Sequence, residues 1–163
     1  MNSGYFYAPY IPVDAKVLTY TFAMLKPDCV SLSLTGTVLH RLEEEFQIKA
    51  IKTRQLTQGD VDFLYGKYKD RDFYKDLSDF MRTGCCHLVL LRGLNAVDRL
   101  RAIIGADEAK PGTIRGDYGN PAVKRENIIH ASDSPVAAEA EIEHFFTQDE
   151  LREYGVEDES PCD

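Results

Sequence analysis

No apolar run in this 163-residue chain approaches the roughly 20 residues that a membrane-spanning helix requires. The first residues, MNSGYFYAPYIPVD, have neither a basic stretch nor an apolar core of the kind a secretory signal carries, so the cytoplasm is the expected location. Cysteine is sparse: Cys29, Cys85, Cys86 and Cys162 form no CxxC and no paired cluster, which argues against zinc and a disulfide framework. Cys85 and Cys86 open an expected strand and should point to opposite faces as free thiols. Positive charge is also short. Nineteen Lys and Arg stand against 27 Asp and Glu, a formal net charge of −8. General nucleic-acid binding is therefore not expected, because no overall positive field replaces counterions. A local cationic pocket inside an acidic protein remains compatible with these numbers. GxxxxGK[ST], HExxH and GxSxG are all missing, as is the protein-kinase set.

What is present suits one soluble globular domain: 44% hydrophobic and 28% charged residues, enough to build a core without staples. Residues 1–16 read as an irregular aromatic arm interrupted by Pro9 and Pro12, and residues 155–163 as an acidic tail. Between them lies a domain over 17–154. Val17–Leu25 alternates as a strand, buried on at least one face. Leu34, Val38 and Leu42 make a helical stripe from about Ser33 to Glu45. Lys49–Leu56 reads as a strand, Thr57 starts a helix, and Phe73, Leu77, Phe80 and Met81 share the face of another. His87–Leu91 is an apolar strand, and Asn95 is placed to cap the next helix. Residues 106–126 read as one long loop. Asn127–His130 is a short strand, Ser134-Pro135 a helix start, and Gln148–Tyr154 a short terminal helix. Setting the extra helix aside leaves βαββαβ, the split βαβ of ferredoxin-like folds. The expected architecture is an α+β sandwich, a four-stranded antiparallel sheet covered by helices.

The long loop and its sequel, KPGTIRGDYGNPAVKRENIIHASDS, concentrate the chemistry. His130 ends a short strand just before a turn and a helix, so it projects from a rigid element. A neutral imidazole is nucleophilic near pH 7 without a strong base. Glu141, eleven residues on, can accept the imidazole N–H and fix which nitrogen is free. Lys26 after the first strand, Arg101 on a helix and Arg115 in the loop can supply the positive charge that phosphoryl transfer needs. Taken singly, each has an ordinary reading. His130 would be a structural histidine, the cations solvated charges, and Glu141 an exposed helix carboxylate. Tyr65 and Phe73 would be core, and Asn127 a turn residue. His40, His87 and His144 lack the surroundings of His130 and read as structural.

NIIHASDS at 127–134 closely resembles the active-site signature NxxH(G/A)SD of the nucleoside diphosphate kinase family. TFAMLKPD at 21–28, YGKYKDRDFY at 65–74 and KPGTIRGD at 110–117 match in the same order, so the resemblance spans about 17–154. It implies a ferredoxin-like fold and a ping-pong phosphotransferase. His130 would be the phosphorylated nucleophile, with Glu141 and Ser132 orienting it. Lys26, Tyr65, Arg101, Arg115 and Asn127 would hold phosphates and sugar, Lys26 also acting in catalysis, and Phe73 would stack on the base. Nucleoside di- and triphosphates would be the ligands, with Mg2+ carried on phosphate oxygens rather than in a protein cage, and the assembly a homo-oligomer. Three features depart from the family. The link from Gly105 to Lys110 is short where the family commonly has a phosphate-touching Thr, that from Arg115 to His130 is slightly long, and Asp72 stands where a Pro is common. Two other readings use the same fold: a histidine phosphocarrier that passes the group to a protein, and a non-catalytic nucleotide-sensing module. The intact nucleotide-contacting set weighs against the first and the presence of His130 against the second.

Overall fold

The structure is a computed structural model that describes residues 17–106 and 110–156. The aromatic arm over 1–16, the middle of the short link at 107–109 and most of the acidic tail, Cys162 included, lie outside the described residues.

Four antiparallel strands form one sheet in the order β2-β3-β1-β4. They are β1 (Leu18–Leu25), β2 (Gln47–Arg54), β3 (Cys86–Leu94) and β4 (Ile129–Ala131). β1 and β3 are central and pair along their lengths, from Leu18 opposite Leu94 to Leu25 opposite His87. Period-two alternation sends successive side chains to opposite faces. Ala23, Leu25, Val89 and Leu91 pack on one face with Val38, Leu42, Leu100 and Ile104. Phe22, Met24, Leu88 and Leu90 pack on the other with Val61, Met81, Ile142 and Phe145. From Thr21 onward β1 is therefore buried on both faces. Each fully buried Leu or Phe here contributes about 1.5–3 kcal/mol relative to exposure.

The helices are α1 (Pro27–Ser31), α2 (Thr35–Glu43), α3 (Gln58–Tyr65), α4 (Tyr74–Met81), α5 (Ala96–Ile104), α6 (Ile114–Tyr118), α7 (Pro135–Phe145) and α8 (Gln148–Glu153), with a 3₁₀ turn at Gly66–Tyr68. Local chemistry explains their starts. Thr57 and Asp60 form a reciprocal capping box at α3, and Ser134 accepts from the Ala137 N–H at 3.1 Å with Pro135 at the first helical position of α7.

Several sequence expectations need correction. Asn95 occupies the position before α5 but caps nothing with its side chain. It sits in the left-handed region at φ 46°, and its Oδ1 accepts from the Val17 N–H at 3.2 Å. The stretch 106–126 is not one loop: Thr113 accepts from the Gly116 N–H at 3.1 Å and nucleates α6. Five residues flanked by glycines carry no periodic signal, so this helix was hidden. α1 was hidden because it too is only five residues long. β4 begins at Ile129 rather than Asn127, because Ile128 adopts φ 75°. Cys85 is exposed and Cys86 buried, and burial pushes the thiols of Cys29 and Cys86 up to about 12, which keeps them protonated.

Candidate active site

His130 is the middle residue of β4, paired with Met24 of β1, so two strands fix its backbone. Its side chain is only 14% exposed. Nε2 lies 3.1 Å from Glu141 Oε1, and the other Glu141 oxygen accepts from Ser132 Oγ. Glu141 is buried on α7, and Ser132 is fully buried beside the Phe22 carbonyl. The Tyr65 ring stands edge-on to the imidazole at 5.8 Å and Phe22 lies tilted at 6.2 Å. A carboxylate can only accept, so Nε2 carries the proton and the lone pair belongs to Nδ1. Nδ1 has no hydrogen-bond partner among the described residues. Burial pushes the Tyr65 phenol well above its ordinary pKa, so it stays a neutral donor.

The backbone approach to His130 is held from the far end of the sequence. The Lys26 N–H donates to the Ile128 carbonyl at 2.9 Å, and Asp28 Oδ2 accepts from the Ile128 N–H at 2.9 Å. Positive φ is costly for a β-branched residue and persists only where surroundings over-determine it. Two bonds from the end of β1 do that here, and they aim β4. Desolvation raises the Asp28 pKa, against the opposing pull of the Ile128 N–H and nearby Lys26. Asp28 carried no role in the sequence reading, although it closes the TFAMLKPD segment. Its partner is 100 positions away, which local pattern cannot reach.

A cleft of about 1040 Å³ opens over His130. Lys26, Tyr65, Phe73, Arg101, Arg115, Asn127, His130 and Glu141 all line it. Ser132 does not, since it sits behind Glu141. Lys26 is buried, with Nζ 2.8 Å from Asn127 Oδ1 and also donating to the Arg125 carbonyl. Arg115 projects from α6, and its guanidinium donates to the Ile129 carbonyl at 2.9 Å and the Gly105 carbonyl at 3.2 Å. Gly116 next to it is obligatory: a Cβ there would lie 1.9 Å from the Lys110 carbonyl oxygen. Arg101 on α5 meets Asp133 at 2.8 Å, and Lys67 reaches the other Asp133 oxygen at 3.2 Å. Burial would raise the Asp133 pKa, but Lys67, Arg101 and His130 together hold it below the usual carboxylate range. Asp133 was likewise unassigned in the sequence reading, although it belongs to the NIIHASDS run. Phe73 presents an exposed ring, 47% accessible, with Tyr68 tilted 5.5 Å away.

The remaining described histidines are differently placed. His87 bonds Thr53 at 2.9 Å, His144 stacks on Phe63 and bonds Asp60 at 2.9 Å, and His40 is exposed beside Glu44. No group of three or more His, Cys, Asp or Glu among the described residues could hold a metal ion, and no helix among them is long and apolar enough to cross a membrane.

Chemically, this arrangement can accept a phosphoryl group on nitrogen while cations hold the rest of a polyphosphate, which is the equipment of a nucleotide-dependent phosphotransferase. Known proteins agree. The family model described as nucleoside diphosphate kinase matches residues 19–151. A nucleoside diphosphate kinase of Methanocaldococcus jannaschii is 41% identical over 135 residues, covering 80% of this chain and 95% of the relative. One from Salinibacter ruber is 40% identical over 135 residues, covering 80% and 94%. Among solved structures, the Halobacterium salinarum nucleoside diphosphate kinase in complex with CDP superposes with a TM-score of 0.77 at 35% identity, over 81% of this chain and 90% of that one. The Aquifex aeolicus enzyme gives 0.76 at 34% identity, over 82% and 99%. The chain belongs to the nucleoside diphosphate kinase family and is a phosphotransferase with that family's ferredoxin-like fold.

Proposed function

We propose that the chain moves the γ-phosphoryl group of a nucleoside triphosphate to His130 Nδ1, releases the diphosphate, and returns the group to a second diphosphate in the same cleft. The observation that carries this is the Glu141 contact on Nε2, which leaves the Nδ1 lone pair as the nucleophile. In the first half, Nδ1 forms a bond to the γ-phosphorus as the bond to the β,γ-bridging oxygen breaks. Glu141 offsets the positive charge that develops on the ring, and Ser132 holds Glu141 in place. The second half is the reverse reaction with a different nucleoside.

Positive charge must stabilise the transferring oxygens, and Arg115 and Lys26 are the buried or half-buried candidates for it. Both are already fixed by carbonyl and amide oxygens, so little reorganisation is needed. Arg101 would hold the outer phosphates, Tyr65 and Asn127 phosphate and sugar, and Phe73 the face of the base. Stacking tolerates every base, which suits an enzyme that equilibrates nucleotide pools.

The carboxylates that line the cleft beside the phosphate cations, Asp133 and Glu141, are engaged with Arg101, Lys67, His130 and Ser132. Among the described residues no oxygen cage suited to a hard dication is left, so Mg2+ would come as part of the nucleotide substrate, where it neutralises phosphate charge. We place the enzyme in the cytoplasm as a homo-oligomer.

The test is single-turnover labelling. Purified protein is mixed with Mg2+ and γ-labelled ATP, then chased with GDP. Acid-labile label on the protein that moves to GTP, and is absent in His130→Ala, is the expected result. Label that no diphosphate removes would favour the phosphocarrier, and nucleotide binding without label would favour the sensing module.

A further inference from the structure

β1 is a central strand, yet β4 covers only part of its length. β4 runs beside Ala23, Met24 and Leu25, and the Ser132 N–H donates to the Phe22 carbonyl at 3.2 Å. The chain then turns into α7 at Pro135. Backbone groups alternate between the two edges of a strand, so Leu18 and Tyr20 point theirs to the same side as Phe22. No described strand continues beside them there. Leu18 is 39% exposed, unusual for an apolar residue of a central strand.

The start of β1 is one wall of a groove of about 570 Å³, on the far side of β1 from the His130 end. Val97 of α5 with Ala138 and Ile142 of α7 give it an apolar lining. Asp98, Glu139 and Glu143 line it too, and all three are exposed and make no hydrogen bond or ion pair with a described residue. Val17 and Val156 also line the groove, so the segments on both sides of the domain begin beside it. The chain is gripped at Val17. Its carbonyl accepts from the Asn95 N–H at 2.8 Å, and its N–H donates to Asn95 Oδ1 at 3.2 Å. That two-point grip accounts for the left-handed backbone of Asn95.

We propose that residues 5–8 of the N-terminal arm bind this groove in their own chain, as an added strand on the free edge of β1. Tyr5, Phe6 and Tyr7 are residue types that favour strands. Residues 9–16, which include Pro9 and Pro12, supply the return. A loop of that length closes at modest entropic cost. The tether gives the arm an effective concentration on the order of millimolar, which favours its own chain over a neighbour. Tyrosine suits the groove, because its ring packs on the apolar lining while its O–H donates to a carboxylate that only accepts. Charge separates the arm from the tail. Residues 157–163 carry Glu157, Asp158, Glu159 and Asp163 and no cation, and would face three more carboxylates. The charged side chains of the arm are Asp14 and Lys16 alone. An added strand also covers an edge that would otherwise invite pairing between molecules.

The test is hydrogen exchange of the full chain, read by mass spectrometry. Amides of 5–8 and 18–20 are expected to exchange at least about tenfold more slowly in wild type than in Tyr5→Asp/Phe6→Asp/Tyr7→Asp, with β3 unchanged. Exchange of 5–8 in wild type at the rate of an unstructured peptide would overturn the proposal. So would protection of 18–20 that survives the arm variant and is lost on deletion of 157–163, which would make the tail the occupant. A second measurement separates a chain's own arm from a neighbour's. Tyr7→Cys and Glu139→Cys are combined with Cys85→Ser and Cys162→Ser and treated with a short bismaleimide. A bridge between the two new thiols at monomer mass on a denaturing gel is expected. A bridge at dimer mass, or none, would overturn the proposal.

Discussion

The two walls of the cleft are built by opposite means. On one, His130 and Glu141 are 14% and 11% exposed in their side chains, locked to each other and to buried Ser132. On the other, Arg101, Lys67 and Asp133 are 41%, 58% and 56% exposed and neutralise one another in the open. A buried hydrogen-bonded pair is rigid and hardly screened, whereas an exposed ion pair is worth little and exchanges readily. On the proposed mechanism a nucleophile at His130 must meet phosphorus in one orientation, which suits a wall fixed before substrate arrives, and outer cations that accept and release a polyphosphate in every half-reaction need a partner that is easy to exchange. Arg115 lies between these cases: it is half-buried, and its guanidinium is held by the Ile129 and Gly105 carbonyls.

This contrast sets an order of sensitivity. His130→Ala should remove turnover by at least about 10⁴-fold with the thermal midpoint little changed, because the proposed mechanism has no other nucleophile. Glu141→Gln keeps the shape but loses the charge facing the imidazolium. A fall of about 10²–10³ in kcat with nucleotide affinity preserved is expected in stopped-flow measurements, and an unchanged kcat would remove Glu141 from its orienting role. Arg115→Ala should cost about 10² in kcat, and an unaltered rate in a folded variant would place it outside the reaction. Arg101→Ala, on the open wall, should mainly raise KM, by about tenfold, and the loss should shrink as salt rises. If it damaged kcat as deeply as Glu141→Gln, the two walls would not differ in the way described.

The smallest effect on catalysis is expected away from the cleft. Asp60 caps α3 and bonds His144 and Arg54. Burial works to raise its pKa, but the Thr57 N–H, His144, the Thr57 hydroxyl and Arg54 hold it below the usual value. A carboxyl held lower in the folded state stabilises fully above its unfolded pKa of about 4, and that stabilisation disappears as pH falls through the folded value. Asp60→Asn should therefore cost about 2 kcal/mol in denaturant unfolding at pH 7. The gap from wild type should close under acid, with kcat at pH 7 nearly unchanged. A gap that widened as pH fell would contradict the sign.

Periodicity made the long elements readable. The alternation of β1, the stripe of α2 and the Ser-Pro start of α7 are local and period-bound. The short helices α1 and α6 were not readable, since five residues hold little more than one turn. Asn95 misled because an Asn that caps and an Asn in the left-handed region look alike in sequence. In the site, His130, Ser132 and Asn127 are adjacent along one motif and were visible together. Asp28 and the positive φ of Ile128 were not, because their pairing links the end of β1 to the approach of β4 across 100 positions. Asp133 was in plain view, but its work, sharing itself between α5 and the segment after α3, exists only once the chain folds.

The most direct test of the central claim is the position of the phosphoryl group on the ring. Protein labelled with ¹⁵N-histidine is phosphorylated with Mg2+ and ATP, and the phosphorus–nitrogen coupling is read by NMR. Coupling to Nδ1 of His130 is the expected result, because Glu141 occupies Nε2. Coupling to Nε2, or to any other residue, would contradict it and dissolve the assignment of Glu141 as the group that orients the nucleophile.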